Sequence, residues 1–586
     1  MKNVSYVCNY RVRVIFIVIT LSYLLIIGKL FNTQVIQNKY WMALAKAQHY
    51  GQNTLPAERG EILSSDNFPL VLNSYKYDLF IDPSNSPKNF SDIEDLFKIV
   101  YKSEFDKSIS KRDITFIKNK EEVWKAAVLD KSKKFAYFEK GINKDTKTKI
   151  QNLNLPWVGF TSIPIRSYPD SESYSHILGF VGKDSNGTET GYFGLEGFYN
   201  GDLTGVDGYL VQEESANGSP ILFGQYNNVK PINGGSLLLT IDRTMQTTSF
   251  TALKKSVEKY EADSGIVLIV NSKTGEILTM AQYPTFDPNN YNDYYSEDPT
   301  IFINKSISST YEPGSVIKAL TMSSAIDLNI VTPETIMVDD GPVEYSGYLV
   351  DNWDLKHHGT ITMTQILQLS DNIGAAWVGN QVGDTGVYKY FTQFGMNSKL
   401  KIDLEGEEMG KIRDSSQWQD IDLATASFGQ GISATPLQVL MAFSTIANDG
   451  ILMKPYIVKK IIYSDKTINN DPQQIRRVIS EKTSKTMLKM LTEAVSGGEA
   501  KYFVSKKYYV AGKTGTAQIA ENGEYLKDAT NATFVGFLPS FKEFVMLVKL
   551  EKPKASVYAS ETAVPLWMDI AEKLANYMGL PPDKYE

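Results

Sequence analysis

An apolar stretch near the start of the chain restricts its fold more than any other feature. Residues 14–31, VIFIVITLSYLLIIGKLF, carry a single charge, that of Lys29. About 20 mostly apolar residues span a bilayer as a helix, and a lysine near the end of the span can extend its ammonium group to the interface. The stretch therefore predicts one transmembrane helix, and the remainder of the chain must fold in water.

The residues around this stretch predict its orientation. Lys2, Arg11 and Arg13 precede it, and basic residues favour the cytoplasmic side of a membrane. Residues 1–13 are therefore expected to be a cytoplasmic tail, residues 14–31 a single-pass anchor in the cell membrane, and the rest of the chain extracytoplasmic. A cleaved signal peptide is the alternative, but the sequence GKLFNTQ offers no small-residue cleavage site.

Composition narrows the class of protein. The chain has 586 residues, of which 42% are hydrophobic and 22% charged, enough for two or three domains with ordinary cores. The net charge of -7 argues against a nucleic-acid partner. Cys8 is the only cysteine, so no disulfide can form within the chain.

A hinge is expected at the glycines that follow Asn233. Residues 32–233 combine helical and strand patterns without a recognisable catalytic motif, which predicts a mixed α/β domain. Residues 234–586 begin with the strand pattern SLLLTID and end with the strand patterns YYVAGKTGTAQIA, NATFVGFLP and EFVMLVKLEK. Helical segments fill the space between, which predicts an α+β domain with an antiparallel sheet and a helical subdomain.

One of these helices has well-defined ends in the sequence. In TPLQVLMAFSTIANDG, Thr435 can cap the helix, Pro436 suits its first turn, and Gln438 completes a capping box. Gly450 follows the last apolar turn and is expected to end the helix.

Three short patterns carry candidate chemistry: Ser-x-x-Lys, Ser-Asp-Asn and Lys-Thr-Gly. Each recurs by chance in this chain, so none is informative alone. The copies are Ser315/Lys318, Ser108/Lys111 and Ser256/Lys259 for the first pattern, Ser370-Asp371-Asn372 and Ser65-Asp66-Asn67 for the second, and Lys513-Thr514-Gly515 and Lys273-Thr274-Gly275 for the third.

The pair Ser315 and Lys318 lies in YEPGSVIKAL, where Pro313 and Gly314 interrupt the preceding structure and an apolar helix should begin. Ser315 would then lie at a helix N-terminus, whose free N–H groups and dipole stabilise negative charge. Lys318 would lie one turn away on the same face, and a desolvated neutral lysine can accept a serine proton. A helix cap followed by a solvated lysine is the alternative.

The second pattern separates two apolar helices in QILQLSDNIGAAW. A polar break between apolar helices must meet water or line a cleft. Ser370 can relay a proton there, and Asn372 can orient an amide. An ordinary turn between helices is the alternative.

The third pattern lies in VAGKTGTAQI, which reads as a strand. Lys513 supplies positive charge, Thr514 and Thr516 supply hydroxyl groups, and Gly515 allows a substrate backbone to come close. This set suits the terminal carboxylate of a peptide. A Walker phosphate loop is excluded because it requires glycine where the chain has Lys507.

Two features are assigned structural roles only. The first Lys-Thr-Gly, residues 273–275, is expected at the tip of a hairpin, where Gly275 serves the turn. His357 and His358 are adjacent in the sequence and have no ligand partner at metal-site spacing, so they are interpreted as a polar turn and no metal or other cofactor is expected.

The order of the three patterns decides between these alternatives. Ser315 precedes Ser370, and Ser370 precedes Lys513, all within the second predicted domain. Ser-x-x-Lys, Ser-Asp-Asn and Lys-Thr-Gly together are typical of penicillin-binding proteins and class A β-lactamases. With stretches such as ERGEILSSDNFPLVL, GLEGFYNGDLTGVDGY, TGEILTMAQYPTFDPNNY and SFGQGISATPLQ, the chain resembles a class B penicillin-binding protein of the division or elongation type along most of its length.

The resemblance implies a mechanism. Ser315 would attack the D-Ala-D-Ala bond of a peptidoglycan stem peptide, with Lys318 as the base and Ser370 as the proton relay. Asn372 would hold the donor amide, and the third pattern, Lys513 to Thr516, would hold the terminal carboxylate. The backbone N–H groups of Ser315 and Thr516 would form the oxyanion hole.

The resemblance also implies partners. Stem peptides would be the substrates, and β-lactams would be inhibitors. Residues 32–233 would form a non-catalytic pedestal of the dimerisation type. This pedestal would contact a membrane glycan polymerase and other wall-synthesis proteins. A D,D-carboxypeptidase or β-lactamase-like hydrolase and a catalytically idle scaffold of a wall-synthesis complex are the alternatives.

Overall fold

In a computed structural model of the chain, the apolar N-terminal stretch lies within one long helix. The structure describes residues 2–86, 91–105, 111–133, 135–213, 226–521 and 524–584. The helices are α1 Lys2–Phe31, α2 Asn38–His49, α3 Ser91–Phe105, α4 Lys111–Leu129, α5 Lys144–Gln151, α6 Ser171–Leu178, α7 Gly194–Phe198, α8 Asn200–Leu203, α9 Arg243–Lys259, α10 Tyr291–Tyr295, α11 Lys305–Ser308, α12 Lys318–Asp327, α13 Met363–Leu369, α14 Asn372–Val382, α15 Asp384–Gln393, α16 Asp420–Ser427, α17 Pro436–Ala447, α18 Glu481–Gly497 and α19 Ala563–Tyr577.

The strands are interspersed among these helices. They are β1 Tyr50–Leu55, β2 Ile62–Leu63, β3 Pro69–Ile81, β4 Ala136–Ile142, β5 Val158–Ser167, β6 Phe180–Lys183, β7 Glu189–Tyr192, β8 Gly208–Glu213, β9 Tyr226–Val229, β10 Ser236–Leu239, β11 Ser264–Asn271, β12 Ile277–Tyr283, β13 Ile336–Asp339, β14 Val343–Tyr345, β15 Tyr348–Val350, β16 Gly359–Thr362, β17 Ile451–Met453, β18 Val458–Ile462, β19 Thr467–Asn469, β20 Gln474–Arg477, β21 Ala511–Glu521, β22 Glu524–Leu538 and β23 Phe541–Glu551.

The chain divides into two units. The first comprises Met1–Arg59 and Thr204–Gly234, and the second comprises Gly60–Leu203 and Gly235–Glu586. The domain limits drawn from the sequence, with a border after Asn233, stay a prediction.

The first unit contains the membrane-spanning candidate. Residues Tyr10–Ile36 are helical, apolar and unburied, and among the described residues they form the one helix that is long and apolar enough to cross a membrane. The same unit holds a small antiparallel sheet in the order β1-β8-β9.

The second unit contains a sheet built from distant parts of the sequence. Its order is β19-β18-β10-β2-β3-β4, with β5 paired to β3. Strand β10 runs parallel to β2, with Leu237 opposite Ile62, although the two strands lie far apart in the chain. The polypeptide before Leu203 and the polypeptide after Gly235 therefore share backbone hydrogen bonds.

The larger core lies around a five-stranded antiparallel sheet in the order β12-β11-β23-β22-β21. The sequence predicted the antiparallel sheet but not the order of its strands. Along β11, Ile266, Leu268 and Val270 pack into one apolar cluster, and Val267 and Ile269 into another. Successive side chains of a strand point to opposite faces, so this strand is buried on both sides. Helix α17 contributes to the first cluster, and α9 and α19 to the second.

Helix α17 confirms the ends read from the sequence. The Thr435 side chain accepts a hydrogen bond from the backbone N–H of Gln438, and the Gln438 side chain accepts one from the backbone N–H of Thr435, which completes the capping box. All twelve residues of the helix are buried. The first Lys-Thr-Gly also lies where expected, in the turn between β11 and β12, with Gly275 at a φ of 81°.

A buried carboxylate ties two parts of the second unit together. Asp403 accepts hydrogen bonds from the backbone N–H groups of Ile457 (2.7 Å) and Val458 (2.8 Å) and from the hydroxyl group of Tyr199 (3.0 Å). Burial raises the pKa of Asp403, and the three donors oppose that rise. Buried backbone donors need partners, so this carboxylate satisfies groups that would otherwise be unpaired.

Asp403→Ala should lower the free energy of unfolding by about 2–5 kcal/mol, because it leaves two buried N–H groups without an acceptor. Tyr199→Phe removes one donor and leaves both N–H groups paired, so it should lower the free energy of unfolding by only about 1 kcal/mol. Chemical denaturation of the detergent-solubilised protein measures both values. Equal losses in the two variants would contradict this account of Asp403.

Candidate active site

Ser315 lies on a 3₁₀ turn, Gly314–Ile317, that leads directly into α12. The sequence indicated an α-helix from this point, and the structure winds the first turn more tightly. Side chains three residues apart eclipse in such a turn, so Ser315 and Lys318 are brought to one side. Gly314 has a φ of 61°, and a Cβ atom there would lie 3.1 Å from the Cβ atom of Ala517. The turn thus needs glycine both for its backbone and for its contact with β21.

Lys318 is almost completely enclosed, with 1% of its surface exposed. Its Nζ atom donates to the carbonyl oxygen of Ser370 and, at 2.7 Å, to Oδ1 of Asn372. A neutral amine has two N–H bonds and one lone pair. Because these two acceptors use both N–H bonds, the lone pair remains available for a proton.

The charge state of Lys318 follows from its surroundings. Burial holds the pKa of this amine well below 10.5, and the nearby charge of Lys513 lowers it further, whereas Asp371 and Glu499 act in the opposite direction. A lysine in this position favours the neutral form. Among the hydrogen bonds of the described residues, none joins Lys318 Nζ to Ser315 Oγ, and catalytic hydrogen bonds often form only when substrate is bound.

Ser370 forms the break between α13 and α14. It has a φ of 55° and a ψ of 39°, in the left-handed region that a serine seldom occupies. Asp371 then caps α14 by accepting a hydrogen bond from the backbone N–H of Gly374 at 2.6 Å. A strained backbone at this point directs Ser370 and Asn372 towards Lys318.

Lys513 lies on β21, next to the same serine. Its Nζ atom is 2.9 Å from Ser370 Oγ and 3.2 Å from Thr514 Oγ1. Burial lowers the pKa of Lys513 to about 8, and Glu499 opposes that shift. The Ser370 hydroxyl group is therefore in contact with one lysine and within 3.4 Å of the other, Lys318.

Gly515 brings β21 against the turn that carries Ser315. A Cβ atom at this position would lie 2.9 Å from the carbonyl oxygen of Pro313 and 3.0 Å from Cγ1 of Val316. The sequence predicted that Gly515 allows a substrate to come close; the structure adds that a side chain here would push the strand away from the turn that carries Ser315. Thr516, one residue on, is exposed, and its Oγ1 accepts a hydrogen bond from the Ala559 N–H.

These groups surround an open cleft of about 600 Å³. Its lining includes Ser315, Ser370, Asn372, Thr514 and Thr516. A partly exposed hydroxyl group, a buried amine, a second hydroxyl group and a cationic strand residue are the parts needed to attack a carbonyl carbon next to a carboxylate.

The other copies of the three patterns lie elsewhere. Ser256 and Lys259 belong to α9, and residues 65–67 form a turn before β3. Ser108 falls outside the residues that the structure describes. The structure thus brings together the eight residues chosen from the sequence, and their chemical roles stay a prediction.

Two groups near the cleft were missed because no sequence pattern marks them. Glu499 begins a 3₁₀ turn after α18, and its Oε2 accepts a hydrogen bond from Thr514 Oγ1 at 3.3 Å. Asn352, 2% exposed, accepts a hydrogen bond from the backbone N–H of Asn372 at 2.8 Å. Each comes from a segment with no motif of its own.

His358 lies outside helices and strands, as the interpretation as a polar turn implied, but it has acidic partners that the sequence did not indicate. Its Nδ1 atom lies 2.8 Å from Oδ2 of Asp371 and 3.4 Å from Oδ2 of Asp339. Both carboxylates are buried, and Asp339 lies on a different strand, β13, well before His358 in the sequence. Folding supplies partners that sequence spacing does not suggest.

Comparison with known proteins agrees with this architecture. Residues 265–572 match the model of the penicillin-binding protein transpeptidase domain, and residues 54–239 match that of the penicillin-binding protein dimerisation domain. Stage V sporulation protein D of Bacillus subtilis (strain 168) is 31% identical over 584 residues, which cover 98% of this chain and 87% of that protein.

Two further similarities extend over nearly the whole chain. Peptidoglycan D,D-transpeptidase FtsI of Buchnera aphidicola is 27% identical over 589 residues, which cover 100% of this chain and 98% of that protein. The crystal structure of penicillin-binding protein 3 from Mycobacterium tuberculosis, complexed with aztreonam, superimposes with a TM-score of 0.68 at 24% identity and covers 90% of this chain and 98% of that one.

Proposed function

The chain belongs to the class B penicillin-binding proteins, the family of peptidoglycan D,D-transpeptidases, and on this premise we propose that it cross-links stem peptides through an acyl-enzyme on Ser315. The observation that carries the proposal is the buried, low-pKa amine of Lys318, held one turn from Ser315 at the edge of an open cleft.

In the first step, the Oγ atom of Ser315 attacks the carbonyl carbon of the D-Ala-D-Ala bond while its proton passes to Lys318. The amine can accept this proton because burial favours its neutral form and its lone pair is not used by its two hydrogen bonds. The backbone N–H groups of Ser315 and Thr516 stabilise the oxyanion. The close approach of β21 to the Ser315 turn at Gly515 supports this pairing.

In the second step, the terminal D-Ala leaves as an amine that must receive a proton. Ser370 is suited to deliver it, because its hydroxyl group lies between Lys513 at 2.9 Å and Lys318 at 3.4 Å. Asn372 keeps its Oδ1 on Lys318 and its Nδ2 on the carbonyl oxygen of Asp351. It can exchange one of these contacts for the donor amide of the substrate.

The terminal carboxylate of the donor is assigned to Lys513, Thr514 and Thr516. The pKa of about 8 for Lys513 keeps much of its positive charge near neutral pH. An incoming carboxylate would stabilise that charge further. An amine of a neighbouring stem then attacks the acyl-enzyme, which closes the cross-link and frees Ser315.

The N-terminal helix is assigned as a membrane anchor with its N-terminus in the cytoplasm, because Lys2, Arg11 and Arg13 precede it. The catalytic residues would then be extracytoplasmic, where peptidoglycan is assembled. Residues 32–233 are expected to contact a membrane glycan polymerase. This assignment rests on the family resemblance.

Penicillin should acylate the protein once, at Ser315, since this serine has the amine and the cleft that acylation needs. Fluorescent penicillin followed by peptide mapping measures the site. Ser315→Ala should abolish the label and Ser256→Ala should leave it unchanged. A label on another serine of the folded parent would contradict the assignment. If the protein releases the labelled penicillin over minutes with its β-lactam ring hydrolysed, the hydrolase alternative is favoured.

Lys318→Arg should lower the acylation rate by about 10²–10⁴-fold, because arginine cannot lose its proton at working pH. Lys513→Arg keeps the charge needed for a carboxylate and should lose much less. In the parent, the rate should rise with pH as Lys318 becomes neutral, at a pH well below 10.5. Stopped-flow acylation of the three proteins tests this, and a Lys318→Arg protein as fast as the parent would exclude the base role.

Cys8 should resist a membrane-impermeant maleimide in intact spheroplasts and react after permeabilisation, since it lies on the cytoplasmic side in the proposed orientation. Because Cys8 is the only cysteine, the labelled residue is unambiguous. Replacing the exposed Ser296 with cysteine provides the control, which should react without permeabilisation. Labelling of Cys8 in intact spheroplasts would reverse the orientation.

A further inference from the structure

The middle residue of the second pattern, Asp371, faces away from the cleft. It is fully buried, one of its carboxylate oxygens caps α14, and the other, Oδ2, lies 2.8 Å from Nδ1 of His358 and 3.2 Å from Nδ2 of Asn352. Asp371 is thus bound, on the side away from the cleft, by groups that the proposed mechanism does not use.

Asn352 contacts both the motif and the carboxylates behind it. Its Oδ1 accepts the backbone N–H of Asn372 at 2.8 Å, and its Nδ2 donates to Oδ2 of Asp339 at 2.9 Å and to Oδ2 of Asp371. The same Nδ2 lies 2.8 Å from the carbonyl oxygen of Lys356. Because its Oδ1 meets a donor and its Nδ2 meets acceptors, the orientation of the Asn352 amide is determined.

Asp339, His358 and Asp371 also place one ligand atom each within 4.8 Å of one another, as a divalent cation would require. The amide of Asn352 argues against a cation at this point. An amide nitrogen has no lone pair to offer a metal, and here its two N–H bonds are shared among three acceptors, the Oδ2 atoms of both aspartates and the carbonyl oxygen of Lys356. The two Oδ2 atoms therefore already accept hydrogen bonds.

We propose that Asn352 and His358 are positioning residues for the reaction: through hydrogen bonds to Asp371 and to the Asn372 backbone, they hold Ser370 and Asn372 in the geometry that serves Lys318. The proposal rests on the proposed function for its catalytic consequence. Ser370 occupies a left-handed conformation that a serine does not adopt without support. Two contacts supply this support. Asp371, the residue after Ser370, is held by its own hydrogen bonds, and the backbone N–H group of Asn372 is held by Asn352.

The effect reaches the reacting groups through Asn372. Its Oδ1 receives the hydrogen bond from Lys318 Nζ at 2.7 Å, and its Nδ2 donates to the carbonyl oxygen of Asp351, beside Asn352. A shift of this segment would move an acceptor of the proposed base and the proposed proton relay together. Such a shift should slow acylation more than it weakens the initial binding of the drug.

The first test uses the parent, Asn352→Ala, His358→Ala and His358→Asn, with His357→Ala as the control. His357 is the adjacent histidine, partly exposed, and its closest acid contacts are 3.7 and 3.9 Å away. The Nδ2 atom of an asparagine can replace Nδ1 of His358 as a donor to Asp371, without charge and without an imidazole nitrogen to coordinate a metal. The first-order acylation constant at saturating penicillin and the prior dissociation constant are measured for each.

Asn352→Ala and His358→Ala should lower the first-order acylation constant by about tenfold to a hundredfold, with little change in the dissociation constant. His358→Asn should retain most of the parental rate, and His357→Ala all of it. Parental rates in both Asn352→Ala and His358→Ala would overturn the proposal. A second result would also overturn the proposal: His358→Asn is as slow as His358→Ala, and the purified parent contains a stoichiometric metal ion. These two observations together would indicate metal coordination by His358 instead of hydrogen bonds.

The second test is independent of acylation. Amide hydrogen exchange of residues 370–376 should be faster in Asn352→Ala than in the parent, since Asn372 loses the acceptor of its N–H group. Unchanged exchange would overturn the positioning role even if the parent reacts with penicillin. If the parent does not react with penicillin, the proposed function is wrong. Hydrogen exchange then still tests whether Asn352 holds the backbone of Asn372. If Asn352→Ala does not fold, the His358→Ala and His358→Asn pair answers the same question.

Discussion

The site depends on the burial of two lysines beside one serine hydroxyl group. Lys318 and Lys513 both lie within hydrogen-bonding reach of Ser370 Oγ, and both are enclosed by protein. Burial in a medium of low dielectric constant disfavours the charge on both amines, and the nearby charge of Lys513 lowers the pKa of Lys318 further, so Lys318 favours its neutral form. The pKa of Lys318 is the more strongly lowered of the two, and Lys513, with a pKa of about 8, keeps more of its charge. Burial, together with the repulsion that acts on Lys318, thus distinguishes the proposed base from the proposed carboxylate-binding group.

The scaffold maintains this arrangement through close backbone contacts. A Cβ atom at Gly429 would lie 2.1 Å from the carbonyl oxygen of Gly314, and one at Gly515 would lie 2.9 Å from that of Pro313. The turn that carries Ser315 is therefore held between a loop and the edge strand β21. Behind it, α17 is buried along its whole length and supports the sheet. Small displacements are resisted because tightly packed interiors do not deform continuously.

Features that depend on neighbouring residues could be predicted from the sequence. The apolar helix, the capping box at Thr435 and the turn at Gly275 each follow from interactions within a few residues. The antiparallel sheet was also predicted, because strand patterns recur at the end of the chain. The parallel pairing of β10 with β2 could not be, since no local signal says which of many strands will meet across so long a stretch of chain.

The site shows the same division. The residue types and order of Ser315, Lys318, Ser370 and Lys513 were enough to select these residues as candidates, because the proposed chemistry needs those side chains and the resemblance to the family assigns them. The sequence by itself thus determined the long apolar helix, the class of fold and the candidate reacting groups. Only the tertiary structure decided that Glu499 lies against Thr514 and that Asn352 and His358 support Asp371. These contacts join segments that carry no motif, and burial and hydrogen bonding between distant segments exist only once the chain is packed.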